Sequence, residues 1–313
     1  MQKEFRHPCK ARLWVSVLLI QSTLTYFAYC AYPASSESVQ ASPLSAPLAP
    51  ANTTINSNTT PLSDKESAQG QAPFCKKPIY LTFDTGHMEV APLISDVLRK
   101  NNVRVTYFAA QERTKTGDGS LGDTWASWWR REAQLGNTFA SHTYDHVYWS
   151  SDLPGNRFLF KPSSGPLKGQ TLNWGANEYC DELKKSNQRL KEITGIEPLP
   201  LFRAPGGKVS TQLLNAAKSC GFEHVDWAAA GFLGDELSSK DFSNAFLLSK
   251  ALKGIQTGDI LMAHLGIWSR QDPWAPTDLE PLITGLKERG FCFESLTRHP
   301  RFKDWVSLHP KSY

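Results

Sequence analysis

Five ionisable residues sit where apolar runs of the chain end: Asp84 after "IYLTF", His142 after "NTFAS", Arg203 in "LFRA", Asp226 in "HVDWA" and His264 closing "DILMAH". Singly, each has an ordinary structural use. Asp is common at turns because its carboxylate bonds nearby backbone N–H groups. Arg203 precedes the turn residues Pro205, Gly206 and Gly207, and His264 fits a buried histidine with a satisfied ring. Jointly they ask for another explanation, because an apolar strand ending in a lone charged group recurs and each such group would need its own buried partner. The segment "SHTYDH" adds His146, four residues beyond His142. On a helical turn that spacing puts both imidazoles on one face, where they can share a metal ion at about 2.0 to 2.1 Å from each nitrogen.

These residues need a frame that gathers strand ends. From about residue 78 to 296, strand-like runs ("IYLTF", "RVTYFA", "NTFAS", "LFRA", "HVDWA", "DILMAH", "FCFES") alternate with helical patterns such as "APLISDVLRKN", "EYCDELKKSNQRLKEI", "TQLLNAAKSCG" and "TDLEPLITGLKERG". Ser210 and Thr277 stand before the last two as N-caps, with Gly221 and Gly290 at their ends. Strands alternating with helices predict a parallel α/β sheet or barrel. In such folds polar residues at the carboxyl ends of strands meet in one cleft. Residues 147–175 break the rhythm. Rich in Gly, Pro and Ser and edged by Trp149 and Trp174, they read as one long loop, a kind that is usually functional or disordered.

The chain has 313 residues, 40% hydrophobic and 11% aromatic, enough for one large α/β domain or two small ones and too apolar to be disordered throughout. Its first 30 residues carry a basic leader (Lys3, Arg6, Lys10, Arg12) and an apolar run from Leu13 to about Tyr29, the pattern of an export signal or anchor. A cleaved signal, an uncleaved anchor and a lipid-modified Cys30 stay open. Tyr29, Cys30 and Tyr32 make a poor cleavage site, the run falls short of the roughly 20 apolar residues of a membrane span, and the bulky Tyr29 suits lipidation poorly. Any membrane contact is expected through this segment alone, with the protein exported to the periplasm or beyond. Residues 31–74, mixed in Ser, Pro, Ala, Thr and Asn, are expected to be a disordered linker, leaving residues 75–313 as the folded domain. Of the formal net charge of +4, four leader cations and Glu4 account for +3, so the rest carries only +1 and gives no sign of a nucleic-acid partner.

Cys75, Cys180, Cys220 and Cys292 fall in the folded part. Four cysteines allow three pairings, and an exported compartment permits disulfides. A closed barrel would bring Cys75, before the first strand, near Cys292 in the last, leaving Cys180 for Cys220. No Cys-x-x-Cys or Cys-His spacing suggests a zinc–thiolate site.

Over roughly residues 78–297 the chain resembles the polysaccharide deacetylases of carbohydrate esterase family 4, the NodB homology domain. "TFDTG", "SHTYDH", "RAPGG", "VDW" and "LMAH" are similar, in order, to that family's five motifs. The resemblance implies an α/β fold, a distorted (β/α) barrel with about seven parallel strands. It also implies residue roles. A divalent metal, zinc first, would sit on His142 and His146 and polarise an N-acetyl carbonyl and a bound water. Asp84 would be the general base, held ionised by Arg203, and a backbone N–H near Gly206 would join the oxyanion site. His264 would be the general acid, oriented by Asp226, with Trp227 as an apolar wall.

One residue departs from the pattern. The family's first motif has a second Asp as metal ligand where this chain has Thr85, a neutral and much weaker ligand, so metal affinity is expected to fall. Either a water fills the vacancy, or His87 or Asp145 replaces the acid, or the metal is dispensable. The expected partner is an extracytoplasmic polysaccharide of N-acetylated amino sugars, stacked on Trp149, Trp227, Trp268 and Trp274. Peptidoglycan comes first, then chitin-like or biofilm glycans, with residues 266–276 and 147–175 as specificity walls. Two other readings are a catalytically silent carbohydrate-binding protein, and a glycosidase with Asp84 and Asp226 as paired carboxylates. The second of these leaves His142 and His146 unexplained.

Overall fold

The computed structural model describes residues 75–309; the expected leader and linker, residues 1–74, lie outside the described residues. In chain order the strands and helices are β1 (Pro78–Asp84), α1 (Ala91–Lys100), β2 (Thr106–Ala109), α2 (Asp123–Gln134), β3 (Thr138–Ser141), β4 (Val147–Leu153), β5 (Arg157–Pro162), β6 (Leu172–Gly175), α3 (Ala176–Thr194), β7 (Leu201–Phe202), α4 (Thr211–Ser219), β8 (Glu223–His224), α5 (Asn244–Gly254), β9 (Ile260–His264), α6 (Trp274–Thr277), α7 (Leu279–Glu288), β10 (Cys292–Phe293) and α8 (Lys303–Leu308).

Seven strands form one parallel sheet, in the order β10-β1-β2-β3-β7-β8 with β9 also on β1. β1 lies at its centre, and six of its seven residues are buried, as a strand covered on both faces requires. One edge of β1 is shared: Pro78 and Ile79 pair with β10, then Tyr80 to Asp84 pair with β9. The sheet closes towards β8 through an irregular segment rather than a strand, with Met262 N–H donating to Gly231 O (2.9 Å) and Leu233 N–H to Met262 O (3.2 Å). A Cβ on Gly231 would lie 2.0 Å from Ile260 O, so only glycine permits that approach. This is the distorted α/β barrel of about seven parallel strands that the alternation and the resemblance predict.

The main core joins the outward faces of β1 and β2 to α1, α2 and α7 through Leu81, Phe83, Trp129, Ile94 and Leu282. Ser210 caps α4, its Oγ accepting from Leu213 N–H (3.0 Å). The expected cap at Thr277 is displaced: α6 ends there, and α7 starts after Asp278. Residues 147–175 are not one loop. They form an antiparallel meander, β4-β5-β6, whose Phe158 and Phe160, two apart and on one face, pack with Tyr179 of α3, Phe202 of β7 and Leu213 of α4. The abundant Gly, Pro and Ser lie mainly in the turns between its strands.

Two disulfides tie the domain, Cys75–Cys292 and Cys180–Cys220, the pairing that barrel closure favours. Among the described residues no helix is long and apolar enough to cross a membrane. Replacing Cys180 and Cys220 together by Ser frees a 40-residue separation in the unfolded chain. The expected cost is about 2–4 kcal/mol, read as a lower midpoint in urea unfolding at unchanged slope.

Candidate active site

β1 delivers Asp84 as its last residue, nearly fully buried, to the carboxyl end of the barrel. Arg203, wholly buried just past β7, donates from Nη1 to Asp84 Oδ1 (2.7 Å) and from Nε to Val225 O (3.3 Å). Its guanidinium lies over the Phe108 ring at 4.2 Å, which fixes its plane. Burial alone would raise the pKa of Asp84. The Arg203 cation, followed by His142 and His264, outweighs burial and holds the carboxyl below its usual range.

His264 stands directly beside Asp84, because the two are register partners on adjacent parallel strands. Asp235 grips it twice: Oδ2 accepts the His264 backbone N–H (2.7 Å) and Oδ1 lies 3.0 Å from ring Nδ1. Burial would lower the His264 pKa, but the charge and hydrogen bond of Asp235, with Asp84 and Glu236 adding, push it up to about 9. The ring is therefore cationic at neutral pH. The sequence expectation that Asp226 orients His264 is corrected here. Asp226 lies past β8 with its carboxylate largely exposed and paired to Arg301 (3.1 Å). It does not line the cleft, which also removes the paired-carboxylate glycosidase. The irregular 226–235 segment that closes the barrel carries the effective acid nine residues further on. "GDE" after an apolar stretch was the only sequence signal for it.

His142 and His146 do come together, with ring centroids 4.8 Å apart. They sit on a tight turn between β3 and β4, not on the expected helical turn. Thr143 and His146 adopt left-handed φ of 58° and 49°, costly for a β-branched residue and typical of constrained functional loops. Glu182 of α3 holds the turn, its carboxylate accepting Asp145 N–H (2.8 Å) and its backbone carbonyl accepting Tyr144 N–H (3.1 Å). The carbonyl of Arg203 can only accept, so His142 Nδ1, 2.8 Å away, carries the hydrogen. Its Nε2 lone pair then faces the cleft, 3.7 Å from Asp84 Oδ2. Burial pushes His142 down to about 4, so it is neutral, the ligating form. His146 Nδ1 is held by Ser163 Oγ (2.6 Å).

Two imidazoles so anchored have the donor chemistry and outer support of metal ligands. The set is short by one: among the described residues no group of three His, Cys, Asp or Glu is placed to hold a metal ion. Thr85 lines the cleft, but its Oγ1 accepts the Ala110 N–H (3.0 Å), which ties β1 to the end of β2. Neither suggested substitute reaches the gap. His87 packs against Trp268 (5.4 Å between ring centroids) and accepts Glu89 N–H at Nδ1, while Asp145 lies against Gly165.

The cleft encloses about 460 Å³, of ligand-pocket size. Gly206, Trp227 and Trp268 line it as expected, and Trp268 is half exposed at the rim. A Cβ on Gly206, whose φ is 65°, would meet the Tyr148 ring at 2.9 Å. Trp149 bonds Asp152 away from the cleft and Trp274 is a core residue, so neither is a sugar platform. Tyr148, Glu112, Ser163 and Glu236 line the cleft unannounced by any sequence motif.

The polysaccharide deacetylase family model matches residues 71–225. The chain is 25% identical, over 70% of its length and 92% of the relative's, to a chitooligosaccharide deacetylase of Azorhizobium caulinodans. It is 24% identical to a peptidoglycan-N-acetylglucosamine deacetylase of Bacillus cereus, over 76% of this chain and 74% of that one. Its fold matches a family 4 acetyl xylan esterase of Clostridium thermocellum solved with a cobalt ion (TM-score 0.55, 20% identity, 73% of this chain and 92% of that chain). Residues 71–225 thus carry a match to the polysaccharide deacetylases, a class of hydrolases.

Asp235→Asn removes the anion while leaving His264 buried, so the His264 pKa is expected to fall from about 9 to near or below the ordinary histidine value. Asp226→Asn should leave it in place. NMR titration of the His264 ring checks both, and equal effects would return the orienting role to Asp226.

Proposed function

We propose that this protein hydrolyses N-acetyl groups from an extracytoplasmic amino-sugar polysaccharide, peptidoglycan first, chitin-like or biofilm glycans next. The observation that carries this reading is the register pair Asp84–His264, an ionised carboxylate and a protonated imidazole side by side at one barrel mouth. Hydrolysis of an amide needs both, a base for the attacking water and an acid for the leaving amine.

In this mechanism the acetyl methyl rests against Trp227, and the sugar face stacks on Trp268 at the rim. A divalent ion on His142 and His146, zinc first, would supply polarisation of the carbonyl and acidification of the water. Asp84, kept ionised and aimed by Arg203, takes a proton from the water as oxygen attacks the carbonyl carbon. The negative charge that develops on the carbonyl oxygen faces the backbone N–H near Gly206. His264 then passes its Nε2 proton to the departing nitrogen, while Asp235 holds Nδ1 and keeps the ring aimed. Peptidoglycan and chitin oligomers enter as substrates by analogy with the two named relatives. Two disulfides support an oxidising, exported setting.

A silent carbohydrate binder is the second reading, favoured by Thr85 and the incomplete ligand set. A binder has no use for the Arg203 and Asp235 clamps on neighbouring acid and base. Asp84→Asn separates the readings: acetate release from N-acetylated glycan oligomers is expected to fall by about 10²–10⁴, with circular dichroism confirming the fold. Retained release would contradict Asp84 as base.

The sign of the pH dependence follows from His264. Its pKa is raised, so the proton it donates is in place at neutral pH and lost as pH rises through about 9. The deacetylation rate is expected to hold through neutral pH and decline above about 9. Asp235→Asn should move that decline to lower pH.

A further inference from the structure

Three carboxylates line the cleft: Asp84, Glu112 and Glu236. Asp84 is matched by Arg203 (2.7 Å), and Glu236 faces the cationic His264 at Nε2 (3.8 Å). Glu112 has no such match, and its Oε2 is buried without a hydrogen-bond partner. A buried, unpaired carboxylate oxygen is costly unless a cation or an ordered water meets it. The strand end that carries Glu112 is bonded to the turn of the imidazole pair: His142 N–H donates to Ala109 O (2.9 Å) and Gln111 N–H to Tyr144 O (2.6 Å).

The segment carrying Glu112 is fixed in place. Glu112 N–H donates to Ser120 Oγ (2.9 Å), and Ser120 N–H returns to Glu112 O (2.9 Å). Two residues earlier, Ala110 N–H donates to Thr85 Oγ1 (3.0 Å). Thr85 thus binds the strand end that leads to Glu112. Two neutral imidazoles bring a dication no charge, and the charge of Asp84 is already offset by Arg203. Among the cleft-lining carboxylates, Glu112 is the one that no cation matches.

We infer that Glu112 is the outer anionic partner of a divalent cation held by His142 and His146, acting through an intervening water. This rests on the metal-assisted reading above. Glu112 is a positioning residue, and its removal is expected to cost what loss of such outer partners does, about tenfold or more in metal affinity.

The test is calorimetric titration of the purified full chain with Zn²⁺, paired with the visible spectrum of the Co²⁺ form. Glu112→Gln is expected to weaken Zn²⁺ binding about tenfold or more, with the thermal unfolding curve of the metal-free protein unchanged. Glu112→Asp, which keeps the charge, should retain most of the affinity, and Glu236→Gln should retain all of it. Unchanged affinity in Glu112→Gln overturns the inference alone, as does an equal loss in Glu236→Gln, which would mark a bulk charge effect, or in Glu112→Asp, which would mark shape rather than charge. Failure of the wild-type chain to bind Zn²⁺ or Co²⁺ overturns the inference and the metal-assisted reading together.

Discussion

The buried ion pair between Asp84 and Arg203 is the contact on which the rest of the site depends. Both side chains are withdrawn from water, and neither charge is tolerable there alone: removing one partner of such a pair typically costs about 3–5 kcal/mol. Satisfying it requires β1 and β7 to end at the same level, with β2 and β3 between them in register. The guanidinium needs the Phe108 face and the Val225 carbonyl to hold its plane. Its backbone carbonyl orients His142. One arginine therefore fixes the Asp84 carboxylate, one imidazole and the alignment of four strands.

A second clamp works from the opposite side. Asp235 fastens His264 by ring and backbone at once, so the imidazole beside Asp84 has one orientation and one protonation state over a wide pH range. The two clamps keep neighbouring buried groups oppositely charged, and charges withdrawn from water act strongly on each other. The 142–146 turn adds strain to this arrangement. Its left-handed Thr143 and His146 persist because Glu182 holds the turn from α3, so the geometry of the imidazole pair is set by a helix that does not itself line the cleft.

The frame was legible in the sequence because parallel strands buried on both faces must be apolar, and a polar residue ending such a run stands out. Asp84 and His264 stand out that way as the last residues of β1 and β9, and His142 and Arg203 as the residues directly after β3 and β7. Asp226 met the same criterion and misled, because β8 is only two residues long and the chain beyond it turns outward to Arg301. Asp235 lies in an irregular segment with no periodicity to mark it. Glu112 and Tyr148 reach the cleft through turns and a meander whose strand pairing depends on tertiary contacts with α3 and α4. The meander was hidden for the same reason: its turn residues dominate its composition, while its two buried phenylalanines are a weak signal.

The central claim is that this cleft breaks an amide bond and leaves the glycan chain whole. Mass spectrometry of N-acetylated peptidoglycan and chitin oligomers after incubation with the metal-supplied protein tests it most directly. The predicted result is loss of acetyl groups at constant chain length, with matching free acetate. Shortened chains, or oligomers recovered unchanged, would contradict it.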